Sequence, residues 1–139
     1  MSTTSDVDLE LGERRAIELP VASLAAPLAR QATRATLGEW GCGRTDDVEL
    51  AVSELVTNAV VHARTAPTLI LTLTAGAVQI EVHDAFRSGL IAAGASGASA
   101  AAGATGGLGL RVVGVLSDAW GWELTGPGKV VWAVFEQAT

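Results

Sequence analysis

Two stretches of this chain alternate apolar and polar residues with a period of two, which is the pattern of a half-buried strand. TLILTLTA (Thr68–Ala75) sets Leu69, Leu71 and Leu73 against Thr72 and Thr74, and VQIEVHD (Val78–Asp84) alternates again after Gly76 and Ala77 turn the chain. The pair predicts an antiparallel hairpin with one face on a core. WGWEL (Trp120–Leu124) and KVVWAVFE (Lys129–Glu136) predict a second hairpin around TGPG, and AIELPV (Ala16–Val21) a short first strand closed by Pro20.

Elsewhere the period lengthens to that of a helix. From Ser23 to Trp40, Leu24, Leu28, Ala32 and Ala35 share one stripe with Arg30 and Arg34 off it, and Pro27 belongs near the first turn. GCGR (Gly41–Arg44) ends that helix. Asp46 with Glu49 three residues on has capping-box spacing, which predicts a helix from Asp46 to about Ala63, with Pro67 stopping extension. Leu108–Leu116 predicts a third, shorter helix. Before it, residues 88–107 read SGLIAAGASGASAAAGATGG. Too little chain follows for a second domain, so this stretch is expected to be a lid or binding loop rather than an interdomain linker. The order of elements predicts an α/β (α+β) two-layer sandwich, with a mixed, largely antiparallel sheet covered on one face by helices.

Composition narrows the picture. At 139 residues the chain is expected to form one domain over residues 16–136, after a polar, acidic tail at 1–15. With 49% hydrophobic and 17% charged residues it should fold rather than stay disordered. A net charge of −6 argues against a direct nucleic-acid partner, which needs a basic face. It leaves room for one bound nucleotide, whose charge backbone amides and a metal ion can meet. The lone Cys42 has no disulfide partner, and neither a signal segment nor a membrane-length apolar run is present in the sequence. A soluble, cytoplasmic protein is expected.

Three features carry candidate chemistry. In SELVTNAVVHA, Glu54, Asn58 and His62 recur every four residues. At about 100° per residue they share the polar side of an amphipathic helix, opposite Val48, Val52, Leu55, Val56, Ala59, Val60 and Ala63. A solvated face explains that spacing, but Leu50 and Val61 flank Glu54, and a carboxylate, an amide and an apolar rim suit a cleft wall. A zinc site fails on count, because the chain has only His62 and His83 as histidines. GGLGLRVV (Gly106–Val113) feeds glycines into a helix start, where free amides suit an anion, although a loop meeting a helix looks the same. Asp84 ends a strand, either as a turn residue or as an acceptor for an exocyclic amine.

Taken in order, SELVTNAVVHA, IEVHD, GGLGLRVVGVLSDAWGWE and GKVVWAVF resemble the GHKL (histidine-kinase-like) ATPase superfamily, which has the Bergerat-type ATP-binding fold. More narrowly they resemble anti-sigma-factor serine kinases and their actinobacterial ATP-binding relatives. The likeness spans roughly residues 16–136. It implies ATP and Mg²⁺ as cofactors, with Glu54 as general base and Asn58 as Mg²⁺ ligand. It further implies Asp84 as the adenine-reading aspartate, Gly107, Gly109 and Leu110 at the phosphates, and a lid at about 90–106. His62 closes the motif without a catalytic role. Implied partners are a sigma factor, an anti-anti-sigma (antagonist) protein, or both, with a homodimer possible.

The departures from the family pattern gather on the adenine side. DAFRSG (Asp84–Gly89) replaces the usual D-x-G-x-G, with Phe86 and Ser88 at the glycine positions. Val130 aligns with a threonine that helps hold adenine, and its side chain donates nothing. An ATP-dependent serine/threonine kinase acting as an anti-sigma factor, a non-catalytic sequestration module of the same fold, and an α/β domain whose polar helix face is only solvated are the competing expectations.

Overall fold

The computed structural model describes residues 13–85, 108–126 and 128–138. Strands β1 (Arg14–Glu18), β2 (Thr68–Leu73), β3 (Ala77–Asp84), β4 (Ala119–Leu124) and β5 (Lys129–Glu136) form one sheet in the order β1-β2-β3-β5-β4. All four pairings are antiparallel, so the parallel component allowed by a mixed sheet is absent among the described strands. The helices are α1 (Ala25–Trp40), α2 (Thr45–Asn58) with a π-helical continuation at Ala59–Ala63, and α3 (Leu108–Leu116). This is the α+β sandwich expected from the element order.

Period two in the sequence becomes a two-faced sheet. Leu69, Leu71, Val78, Ile80, Val82, Val131, Ala133 and Phe135 point to one side. There they meet Leu37 of α1, Val48, Val52, Leu55 and Val56 of α2, and Leu110 and Val113 of α3 in a single core. Burying each such side chain is worth about 1.5–3 kcal/mol, and that gain holds the helices on the sheet.

Several local expectations shift. β1 starts at Arg14 and stops at Glu18, so two residues assigned to the tail are strand and Leu19–Val21 are not. Arg15 explains this: it pairs Leu71 in the sheet and reaches Thr36 Oγ1 at 3.2 Å and Glu39 Oε1 at 2.8 Å on α1. That partner holds the Glu39 carboxyl below its ordinary range. Gly41, at φ 69°, ends α1 in the left-handed conformation a glycine adopts freely, and the Cys42 N–H closes the turn on Leu37 O at 2.9 Å.

Asp46 is not the cap of α2. The helix begins one residue earlier, after Arg44 at φ 62°, and no side chain caps it. Glu49 turns away from any capping role toward Arg34, 2.7 Å away in an ion pair whose alignment falls short of a hydrogen bond. The Arg44 side chain anchors this helix start instead. It donates to Asp118 Oδ2 at 2.6 Å, to Leu116 O at 2.7 Å and to Glu136 O at 3.1 Å, and lies over the Phe135 ring. Asp118 also accepts the Glu136 N–H, and that bond, with Arg44, holds its carboxyl below the usual carboxylate range.

Candidate functional site

The interior stripe of α2, from Val48 to Val56, is spent on the core, and its second side is tied to α1 by two rungs. Arg30 donates to Ser53 Oγ at 2.9 Å, and Arg34 sits against Glu49 one turn away. The remaining side carries Glu54 and Asn58, both half-buried. Neither bonds to another described group, so the carboxylate has lone pairs to offer and the amide has both donors and an acceptor. Exposed Leu50 and Val61 flank this side. The face is thus neither core nor fully washed by solvent.

After Asn58 the helix widens into the π turn, and Arg64 closes it at φ 58° with its N–H on Ala59 O. Single π turns inside helices recur at functional sites because the extra residue re-aims the side chains around it. Here the turn packs against β3. The next residue, Thr65, accepts the Ala85 N–H on its hydroxyl at 3.3 Å. The C-terminal end of α2 and the Asp84 end of β3 therefore meet at one end of the domain. The wheel position expected for His62 assumed an unbroken α-helix, which the π turn ends at Asn58.

Asp84 is buried at the last position of β3, with its side chain facing the helices like Val82 and Ile80 before it. Register places Lys129 directly opposite on β5, and the two side chains form an ion pair. Side-chain exposures of 2% for Asp84 and 12% for Lys129 show how thoroughly it is enclosed. Val130, expected beside the base, pairs with His83 and so belongs to the opposite face of the sheet. That correction follows from strand alternation: the neighbour of an inward residue is outward. The signal was present in the sequence, since Lys129 shares the parity of Val131, Ala133 and Phe135 in KVVWAVFE.

Of the glycine-rich signal, Gly107 and the lid at about 90–106 lie outside the described residues, as do Phe86 and Ser88. Gly109 is the second residue of α3, and α3 packs against α2. The first amides of a helix lack intrahelical partners, so this end of α3 has N–H groups for an anion. Leu110 buries its side chain in the core, leaving only its backbone for such a role. The opposite end of the sheet holds a shallow cleft between Trp40, Cys42, Arg44, Thr74 and Gln137, which contains none of the expected site residues. Burial there pushes the Cys42 thiol upward, away from reactivity.

Nothing among curated proteins matches this chain. A family model, the histidine kinase-like ATPase domain, matches residues 19–135. Among solved structures, the RsbU and RsbW domains of Rv1364c from Mycobacterium tuberculosis superpose with a TM-score of 0.67 at 20% identity, over 91% of this chain and 33% of that one. This chain thus spans about a third of that protein's length. A chain of the SiaB–SiaC complex from Pseudomonas aeruginosa superposes with a TM-score of 0.68 at 15% identity, over 95% of this chain and 94% of that one. At these identities the likeness is one of fold.

Proposed function

The chain belongs to the histidine kinase-like ATPase domain family, and from that membership we propose that it is an ATP-binding regulatory protein of the anti-sigma-factor type. Its activity in this reading is phosphoryl transfer from ATP to a serine or threonine of a small antagonist protein, which controls access to a sigma factor and hence transcription. The observation that carries it is the pair on α2: Glu54 and Asn58, one turn apart, half-buried and unengaged by other described groups.

The residues present fit the phosphate and metal half of such a site. Asn58 has the amide oxygen to hold Mg²⁺, which when bound neutralises charge on the transferred phosphoryl group. Glu54 lies on the same helix side, in position to orient the attacking hydroxyl and take its proton. The exposed Leu50 and Val61 beside them offer an apolar surface to a protein substrate. The likeness to a chain of a two-protein complex supports a protein partner.

Calorimetry and thermal shift with Mg·ATP test this reading. Wild type is expected to bind in a Mg²⁺-dependent, saturable manner, and Asn58→Ala to bind at least about tenfold more weakly, as loss of a metal ligand should. Glu54→Gln should keep binding while transfer falls by about 10²–10⁴. No stabilisation of wild type at millimolar Mg·ATP would remove the proposal. One observation favours the second reading, sequestration without catalysis: the carboxylate expected to read adenine already holds Lys129.

A further inference from the structure

We propose that Lys129 is the specificity-determining residue of the base pocket: its ammonium occupies Asp84, so a nucleobase enters only by displacing it. The inference rests on the ATP-site reading above and concerns the half of that site which does not fit as it stands.

The contact is built into the fold rather than left to a mobile side chain. Asp84 and Lys129 are cross-strand partners on the helix-facing side of neighbouring strands, where opposite charges attract best. Lys129 is the only lysine of the chain, and it begins a strand whose other inward residues, Val131, Ala133 and Phe135, are apolar. An ammonium there is tolerable only if paired. The backbone around the carboxylate is equally fixed. A Cβ on Gly128 would lie 1.9 Å from Asp84 O and 2.5 Å from Ala85 Cα, so the turn before β5 is pressed onto the end of β3. Thr125 and Gly128 brace that turn with hydrogen bonds of 2.8 and 3.0 Å.

An exocyclic amine and an ammonium ask the same thing of Asp84, an N–H donated to a carboxylate oxygen. The charged donor makes the stronger bond and the buried site amplifies the difference. A neutral amine therefore gains little by replacing it. Lys129 thereby removes the base's main polar contact and leaves nucleotide affinity to the phosphates and metal.

Three probes test this by calorimetry: Mg·ATP, the Mg·triphosphate of purine riboside, which lacks the amine, and Mg·tripolyphosphate, which lacks the nucleoside. Wild type should bind the two nucleotides within about threefold of each other. Lys129→Met should bind Mg·ATP about tenfold tighter or better, with its tripolyphosphate affinity unchanged. If ATP and tripolyphosphate affinities are both unchanged in folded Lys129→Met, Lys129 does not control the pocket, although the ATP-site reading survives. If neither protein binds any probe, both readings fall. Should Lys129→Met not fold, the wild-type comparison decides: a preference for ATP over the amine-free nucleotide above about tenfold overturns the proposal.

Discussion

Gly128 has no Cβ because there is no room for one. The nearest atoms to that position are backbone, Asp84 O and Ala85 Cα, which cannot rotate aside as a side chain would. Gly121 is also crowded, but by the Trp132 ring, a side chain with some freedom to move. Gly128→Ala must therefore push β3 and the turn before β5 apart and strain the Asp84–Lys129 pair. We expect a loss of about 1–3 kcal/mol in urea unfolding, and a smaller one for Gly121→Ala. Equal losses at the two positions would mean that the backbone contact relaxes as easily as the ring.

Two arginines adopt the left-handed conformation at helix boundaries, and they do so for different reasons. Arg64, at φ 58°, closes the π turn after α2 with its backbone alone, and no side-chain bond from it to a described residue accompanies that turn. Arg44, at φ 62°, begins α2 and uses its guanidinium to join α2 to the end of α3 and the end of β5. A left-handed L-residue costs about 1–2 kcal/mol and glycine escapes that cost, less the chain entropy it adds when unfolded. Arg64→Gly should thus be neutral or stabilising by up to about 1 kcal/mol. Arg44→Gly should lose about 2 kcal/mol, because charge-assisted hydrogen bonds outweigh the relieved backbone. Denaturant midpoints for both variants check this, and a destabilised Arg64→Gly would show that its side chain matters.

At the same scale, what could be read from the sequence divides along a physical line. The four strands of the two hairpins came out within two residues of their observed bounds because alternation is local, β1 did not, and α1 ended at Gly41 because a glycine after a periodic run marks that end. Asp46 misled because its spacing to Glu49 satisfies a capping box, while the competing partner, Arg34, lies on another helix. The π turn left no mark, since AVVHA reads the same in either helix. Glu54, Asn58 and Asp84 were singled out by residue type at a helix or strand position. Alternation in KVVWAVFE already turns Lys129 inward, but its partner Asp84 comes from register across 45 residues of sequence, which no local pattern encodes.

Across the whole molecule, the two ends of the sheet have different jobs. At one end lie Asp84, Lys129, Thr65 and the close of α2. At the other, Arg44, Asp118 and Glu136 lock α2, α3 and β5 together around an open cleft. The sheet order puts β2, β3 and β5 between neighbours and leaves β1 and β4 at the edges. Amides of β3 and β5 on the core side should therefore exchange only through global unfolding, about 100-fold more slowly than those of β1. Mg·ATP should then add protection unevenly, over residues 54–65 and 80–85 and not over residues 40–44 and 136–138. Hydrogen-exchange mass spectrometry reads both patterns in one experiment. Uniform slowing everywhere would mean that the nucleotide only raises global stability. Protection confined to residues 40–44 and 136–138 would put the ligand in the cleft beside Arg44, and the assignment of Glu54 and Asn58 would fall with it.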